Sequence, residues 1–245
     1  MTQRSVEIET PDGTCPAALS VPDGAGPWPA VIMYPDAGGM RDTMRRMGER
    51  LSGLGYVVLV PDFYYRNGPY EPIDMRTAFA TRESAGKIMA MMQGYTADMV
   101  VRDANAFVDY LDTLAEKKPG GVGTTGYCMG GRLSLLVAGN LGGRVAAAAS
   151  FHGGNLANAD DPDSPHHRAG AIRGRVFVAG AVEDRSFLDE QKHLLEASLT
   201  GAGVPHTIET YQAHHGFAVA DNPSFDQAAA DRHWKDTEQF FAAAL

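Results

Sequence analysis

The chain has 245 residues, 44% of them hydrophobic and 21% charged, with a formal net charge of -9. That balance suits one soluble α/β domain with a sizeable core, and it argues against a nucleic-acid partner, which needs clustered Lys and Arg. No apolar run approaches a membrane span. Met1 to Thr10 is polar and lacks the apolar segment of a secretory signal. Two cysteines, Cys15 and Cys128, make neither a disulfide framework nor a zinc pattern, so a reduced, cytoplasmic protein is expected.

Ser5 to Glu9 alternates as a strand does, and Pro11-Asp12-Gly13 turns the chain back into Cys15 to Val21, predicting an antiparallel hairpin at a sheet edge. Ala30 to Tyr34 is a continuous apolar run, as in a parallel strand covered on both faces, and it ends in Pro35-Asp36-Ala37-Gly38-Gly39. A helix carrying Met44, Met47, Leu51 and Leu54 follows, with Gly55 as its stop. Tyr56 to Val60 is another buried strand, ending in Pro61-Asp62-Phe63-Tyr64. Tyr65 to Tyr95 is irregular and rich in methionine; it reads as an excursion with one or two short helices, or as a pliable wall over a pocket. The next helix places Val100, Ala104, Phe107, Val108, Leu111 and Leu114 on one face, with Lys117 and Lys118 in its last turn and Pro119-Gly120 as the stop.

Val122 then leads through Thr125-Gly126-Tyr127-Cys128-Met129-Gly130-Gly131 into a helix with Leu133, Leu136, Val137 and Leu141. Strand, tight turn and helix around one nucleophilic side chain is the layout of a nucleophile elbow, here with cysteine. Further strands are expected at Val145 to Phe151, Arg175 to Ala179 and His206 to Tyr211. A helix bearing Leu188, Leu195 and Leu199 separates the last two. Ser224 with Gln227 forms a capping box for a final helix through Trp234 and Phe241. Strands alternating with helices imply an α/β fold: a mostly parallel sheet with helices on both faces.

In such a sheet, functional loops gather at the carboxyl ends of strands. Cys128, Asp184 and His215 fall at three such ends, in the order nucleophile, acid, histidine. Cys128 would attack an acyl carbon, His215 would take and return the proton, and Asp184 would hold the imidazole. Backbone N–H groups of Ala37 and Met129 are placed to hold an oxyanion. His214 competes with His215, and Glu183 with Asp184. Tyr64 and His152, at strand ends, either line the substrate pocket or are satisfied polar residues at its rim. Asp160 to His167 mixes carboxylates and imidazoles but reads as a surface loop, so no metal is assigned. No dinucleotide or ATP motif is present, and no cofactor is expected.

Gly126-Tyr127-Cys128-Met129-Gly130-Gly131, Pro61-Asp62-Phe63-Tyr64, the Asp184 turn, His215-Gly216-Phe217 and the tail from Asn222-Pro223 through Trp234 to Phe240-Phe241 together resemble the dienelactone hydrolase family, cysteine-using α/β hydrolases. The resemblance implies a Cys128, His215, Asp184 triad and cleavage of a small ester or lactone through a thioester. In the family's best-known members a glutamate that supports the nucleophile stands where this chain has Asp36. The arginines that bind a substrate carboxylate there have no clear match; Arg66, Arg76 and Arg82 are candidates by region. Two rivals remain: a generalist carboxylesterase or thioesterase, and a hydrolase fold turned to ligand binding or redox sensing with Cys128 as a reactive thiol.

Overall fold

The computed structural model describes residues 1–245. Eight strands form one sheet in the order β1-β2-β4-β3-β5-β6-β7-β8. β1 (Thr2–Thr10) and β2 (Gly13–Val21) are the expected antiparallel hairpin. β2 lies antiparallel to β4 (Val57–Pro61), and every later pairing is parallel: β4 with β3 (Ala30–Tyr34), then β5 (Val122–Tyr127), β6 (Val145–Phe151), β7 (Arg175–Ala181) and β8 (His206–Tyr211). All residues of β3, β4 and β5 are buried, the pattern that requires cover on both faces.

Alternation along the strands divides the core in two. Leu19, Ile32 and Leu59 point to one face, where α3 (Ala97–Asp112), α4 (Met129–Leu141) and α5 (Asp189–Gly201) bring Phe107, Leu111, Leu133, Leu195 and Leu199. Val31, Met33, Val58 and Val60 point to the other, against Met44 and Leu51 of α1 (Asp42–Ser52) and Trp234 and Phe241 of α6 (Gln227–Ala242). Each such aliphatic side chain contributes roughly 1.5–3 kcal/mol through burial, so register is held from both faces at once. No helix is long and apolar enough to cross a membrane.

Three element boundaries differ from the sequence pattern. α1 ends at Ser52 rather than Leu54, and Gly55 turns the chain with φ 98°. α3 stops at Asp112 instead of running to Lys117, because Trp28 claims the following segment: its N–H donates to Glu116 O at 2.7 Å and its carbonyl accepts from Lys118 N at 2.7 Å. Lys117 is drawn inward, its ammonium donating to Gly120 O at 2.9 Å and pairing with Asp112 at 2.9 Å. α6 is capped by Asp226, whose carboxylate accepts from Ala229 N at 2.8 Å, and Ser224 stays outside the helix. The Tyr65 to Tyr95 excursion holds a short 3₁₀ turn (Tyr65–Asn67) and α2 (Arg82–Gly94), started by a capping box between Thr81 and Ser84.

Sheet order reverses between β3 and β5: the chain steps outward to β4 on one side and to β6 on the other. Loops that leave such neighbouring strands in opposite directions open a crevice at their carboxyl ends. The Asp36-Ala37 loop and Cys128 leave the two strands flanking that point, which pair Tyr34 with Gly126.

Candidate active site

Cys128 sits between β5 and α4 with φ 53° and ψ −117°, a left-handed conformation that a side chain adopts only under strain. Glycines make the bend possible by close approach. A Cβ on Gly126 would overlap the Gly130 carbonyl, and one on Gly130 would overlap the carbonyls of Tyr34 and Pro35. The bend leaves Cys128 partly exposed while its neighbours Tyr127 and Met129 are buried.

His215 follows β8 and Asp184 follows β7. His215 Nδ1 donates to Asp184 Oδ2 at 2.8 Å, with the carboxylate almost wholly buried and the imidazole partly exposed. Asp184 Oδ1 accepts from Ser186 N at 2.9 Å and from Ser186 Oγ at 2.6 Å, and this serine also lies 3.3 Å from His215 Nδ1. Burial opposes ionisation of Asp184, but these bonds outweigh it and its pKa is lowered. Burial likewise opposes charge on His215; its hydrogen bond to Asp184, with the nearby charges of Asp184 and Cys128, overcomes it and raises the imidazole to about 10. The ring is held by the carboxylate and lines both clefts beside the sulfur. His214 and Glu183 are exposed and line the first cleft as well, but neither pairs as His215 and Asp184 do.

Ala37 and Met129 face the same crevice. Met129 opens α4, where a first-turn N–H has no intrahelical acceptor. The Ala37 N–H makes no hydrogen bond within the chain. Tyr64 stands behind both, its hydroxyl 3.2 Å from Ala37 O and 3.5 Å from Met129 Sδ. It is almost fully buried and lines neither cleft at Cys128, so the expectation that it contacts substrate gives way to a bracing position. His152 is corrected in the same way: it is fully buried beneath the elbow, and Cys128 N donates to its Nδ1 at 3.2 Å.

Asp36 has partners other than the sulfur. Its Oδ1 accepts from Arg41 at 2.7 Å and from Gly38 N at 2.9 Å, and its Oδ2 accepts from Arg41 at 2.9 Å. Arg41 donates in turn to both oxygens of Asp221, at 2.7 and 2.8 Å. The aspartate expected to support the nucleophile is thus engaged in an ion network that shapes the Ala37 loop. One methylene fewer than glutamate keeps its carboxylate close to its own backbone. Replacing Arg41 with methionine should strand two carboxylates and lower stability by about 3–5 kcal/mol, read as a shift in urea midpoint without a change in slope. Unchanged stability would show that the network is dispensable.

Two clefts meet at Cys128, His215 and Ser224. One, of about 450 Å³, is lined by Met92, Arg132, Asn155, Arg185 and Ser186; the other, of about 490 Å³, by Ala37, Met75, Arg76, Phe79 and Pro223. The methionine-rich excursion thus contributes wall to both. Of the regional arginines, Arg76 reaches a cleft but pairs with Asp74 at 2.9 Å, whereas Arg66 is held by Asp12 and Asp103. Arg82 lines neither cleft, and Arg185, which the sequence did not single out, does. The Asp160 to His167 loop is tied to the body by Arg132, which donates to Asp161 at 2.8 Å, and is braced internally by His166, 2.8 Å from Ser164.

Comparison with known proteins extends these observations. The model of the dienelactone hydrolase family matches residues 15–245. A protein of Synechocystis sp., provisionally designated a carboxymethylenebutenolidase, is 28% identical over 237 residues, covering 93% of this chain and 91% of its own. Carboxymethylenebutenolidase 1 of Cupriavidus pinatubonensis is 25% identical over 201 residues, 82% of this chain and 80% of that one. Among solved structures, a metagenomic dienelactone hydrolase-like promiscuous phosphotriesterase, P91, superposes with a TM-score of 0.81 at 24% identity, covering 100% of this chain and 99% of that one; it speaks to the fold.

Proposed function

Since the chain belongs to the dienelactone hydrolase family and is a hydrolase acting on ester bonds, we propose that it cleaves small esters or lactones of the carboxymethylenebutenolidase type through a Cys128, His215, Asp184 triad and a thioester acyl-enzyme. The observation that carries this reading is the imidazole held at Nδ1 by buried Asp184 in the same clefts that the strained Cys128 elbow opens to.

Asp184 fixes the Nδ1–H tautomer, which leaves Nε2 for the sulfur. His215 takes the thiol proton, and the sulfur attacks the acyl carbon. A C–S bond forms as the carbonyl π pair moves onto oxygen, where the N–H groups of Ala37 and Met129 receive it, each worth roughly 3–4 kcal/mol in comparable sites. Collapse of this intermediate breaks the ester C–O bond, and the departing alkoxide takes the proton from His215. Water, deprotonated by the same imidazole, then attacks the thioester; the C–S bond breaks and the sulfur is restored. In a lactone the alcohol stays tethered to the acyl group. Both clefts fall within the size range of small-ligand sites, and they offer separate room for the acyl and alcohol arms.

Trapping tests the reading directly. Acid-quenching the enzyme during turnover of p-nitrophenyl acetate should give intact protein one acetyl heavier, mapped to Cys128 and removed by neutral hydroxylamine. Turnover with the acetyl group on another residue, or with no adduct under burst conditions, would remove the thioester route. The rival reading is a broader specificity: Arg76 of the second cleft is paired with Asp74, which leaves Arg185 of the first cleft as the unpaired cation available to a substrate carboxylate. A preference of about tenfold or less in kcat/KM for dienelactone over p-nitrophenyl acetate, under 1.4 kcal/mol in transition-state binding, would mark the generalist.

A further inference from the structure

His152 is a buried titratable group beside the elbow that the reaction above leaves without a task. It follows β6 directly with φ 40°, and this left-handed turn folds the side chain back beneath the elbow. The residue is fully buried; Nδ1 accepts the Cys128 N–H at 3.2 Å, and Nε2 has no partner. Its ring meets His215 edge to face with centroids 5.1 Å apart and is backed by Phe217 at 4.9 Å.

These facts constrain one another. A nitrogen that accepts an N–H carries no proton, so the ring is neutral with its proton on Nε2. Burial favours the same state, as do the neighbouring imidazoles of His215 and His233, while Asp184 opposes it; together they hold His152 well below the usual imidazole range. Packing alone does not account for a histidine here. A phenyl ring would fill the same aromatic space between Tyr127 and Phe217 and would leave no orphaned N–H. What a phenyl ring would not do is accept the Cys128 amide. That amide is shared with Phe151 O at 3.1 Å, and the two acceptors together fix the peptide plane from which the sulfur projects.

The geometry points to His152 as a positioning residue for this reaction: a neutral acceptor that holds the Cys128 backbone while its edge sets the rotation of the His215 ring, so that sulfur and imidazole meet in register. The inference rests on Cys128 being the nucleophile. It assigns the residue no contact with substrate. An uncharged ring also adds no positive charge beside the His215 imidazolium.

Three variants test it. His152→Phe keeps the aromatic packing and loses the acceptor; His152→Asn offers an amide oxygen near the Nδ1 position; His152→Leu loses both. Expected for His152→Phe is a fall in kcat of about tenfold to a hundredfold, the scale of a misplaced reacting group, with KM changed by less than about twofold. The rate of Cys128 alkylation by iodoacetamide should fall with it, and its pH profile should shift as His215 loses orientation. His152→Asn should recover most of both rates, and His152→Leu should recover neither. Equal losses in the Asn and Phe variants at matched thermal stability would overturn the inference. In the unaltered enzyme, ¹⁵N NMR should find His152 Nδ1 unprotonated and Nε2 protonated from pH 5 to 9; a proton on Nδ1 would overturn it whatever the variants do. Loss of hydrolysis in Cys128→Ala bears on the nucleophile alone, so the two readings fail separately.

Discussion

Cys128→Ala should lower kcat/KM for p-nitrophenyl acetate on the order of 10⁴-fold or more, leaving only the contribution of binding and oxyanion contacts. The substitution removes a sulfur that is partly exposed at the cleft floor, so the fold should be preserved and Tm should move little. Cys15, the other thiol, is buried in β2 with burial raising its pKa well above the ordinary thiol value, so it offers no substitute nucleophile. A pair of measurements separates the outcomes: steady-state hydrolysis, and stoichiometry of iodoacetamide labelling at pH 7. One labelled site in the unaltered enzyme and none in Cys128→Ala is expected. Retained hydrolysis in the alanine variant would defeat the mechanism.

The second large effect belongs to Asp184→Asn. An amide in place of the carboxylate presents the wrong partner to His215 Nδ1–H and removes the charge that supports the imidazolium. A loss in kcat of roughly 10²–10⁴-fold is expected, with the larger figure if the ring adopts the other tautomer. The pH dependence has a defined sign. Asp184 has a folded pKa below its ordinary 3.8, so its stabilising contribution is present above that value and is lost as pH falls through the folded one. His215 is raised from 6.5 to about 10, so its contribution is full below 6.5 and disappears as pH rises toward 10. The stability difference between the unaltered enzyme and Asp184→Asn should therefore be greatest between about pH 4 and 6.5 and shrink on both sides. Urea unfolding at pH 5, 7 and 9.5 measures it; a difference that grows from pH 5 to 9.5 would contradict the pairing.

Much of this molecule is legible in its sequence, for local reasons. β3 announces itself because a strand covered on both faces must be apolar throughout, and Ala30 to Tyr34 is. The elbow is legible because Gly126 and Gly130 stand where a backbone approach leaves no room for a Cβ. His215 is separable from His214 only by the Gly216-Phe217 that follows, and its bond to Asp184 agrees with that choice. What the pattern conceals is long-range pairing. Nothing local in Arg41 shows that it joins Asp36 to Asp221, nor that Trp28 pairs with the segment around Lys117 and ends α3 early. Ser186 is concealed for a different reason: a serine two residues after an aspartate is common in turns, and only the folded loop sets it against both Asp184 and His215. Tyr64 and His152 do follow strand ends, but a strand end has an outward and an inward side. Both side chains take the inward one.

The Arg41 bridge also bears on how the protein is made. It closes on Asp221, 180 positions further along the chain, and the thiol, carboxylate and imidazole themselves emerge one after another across β5, β7 and β8. A growing polypeptide on the ribosome therefore exposes its cysteine long before the histidine that would activate it and before the guanidinium can clamp the Ala37 loop. Under the proposed triad, competence for hydrolysis arrives only when the last strand docks, so an unfinished chain carries the thiol without its base.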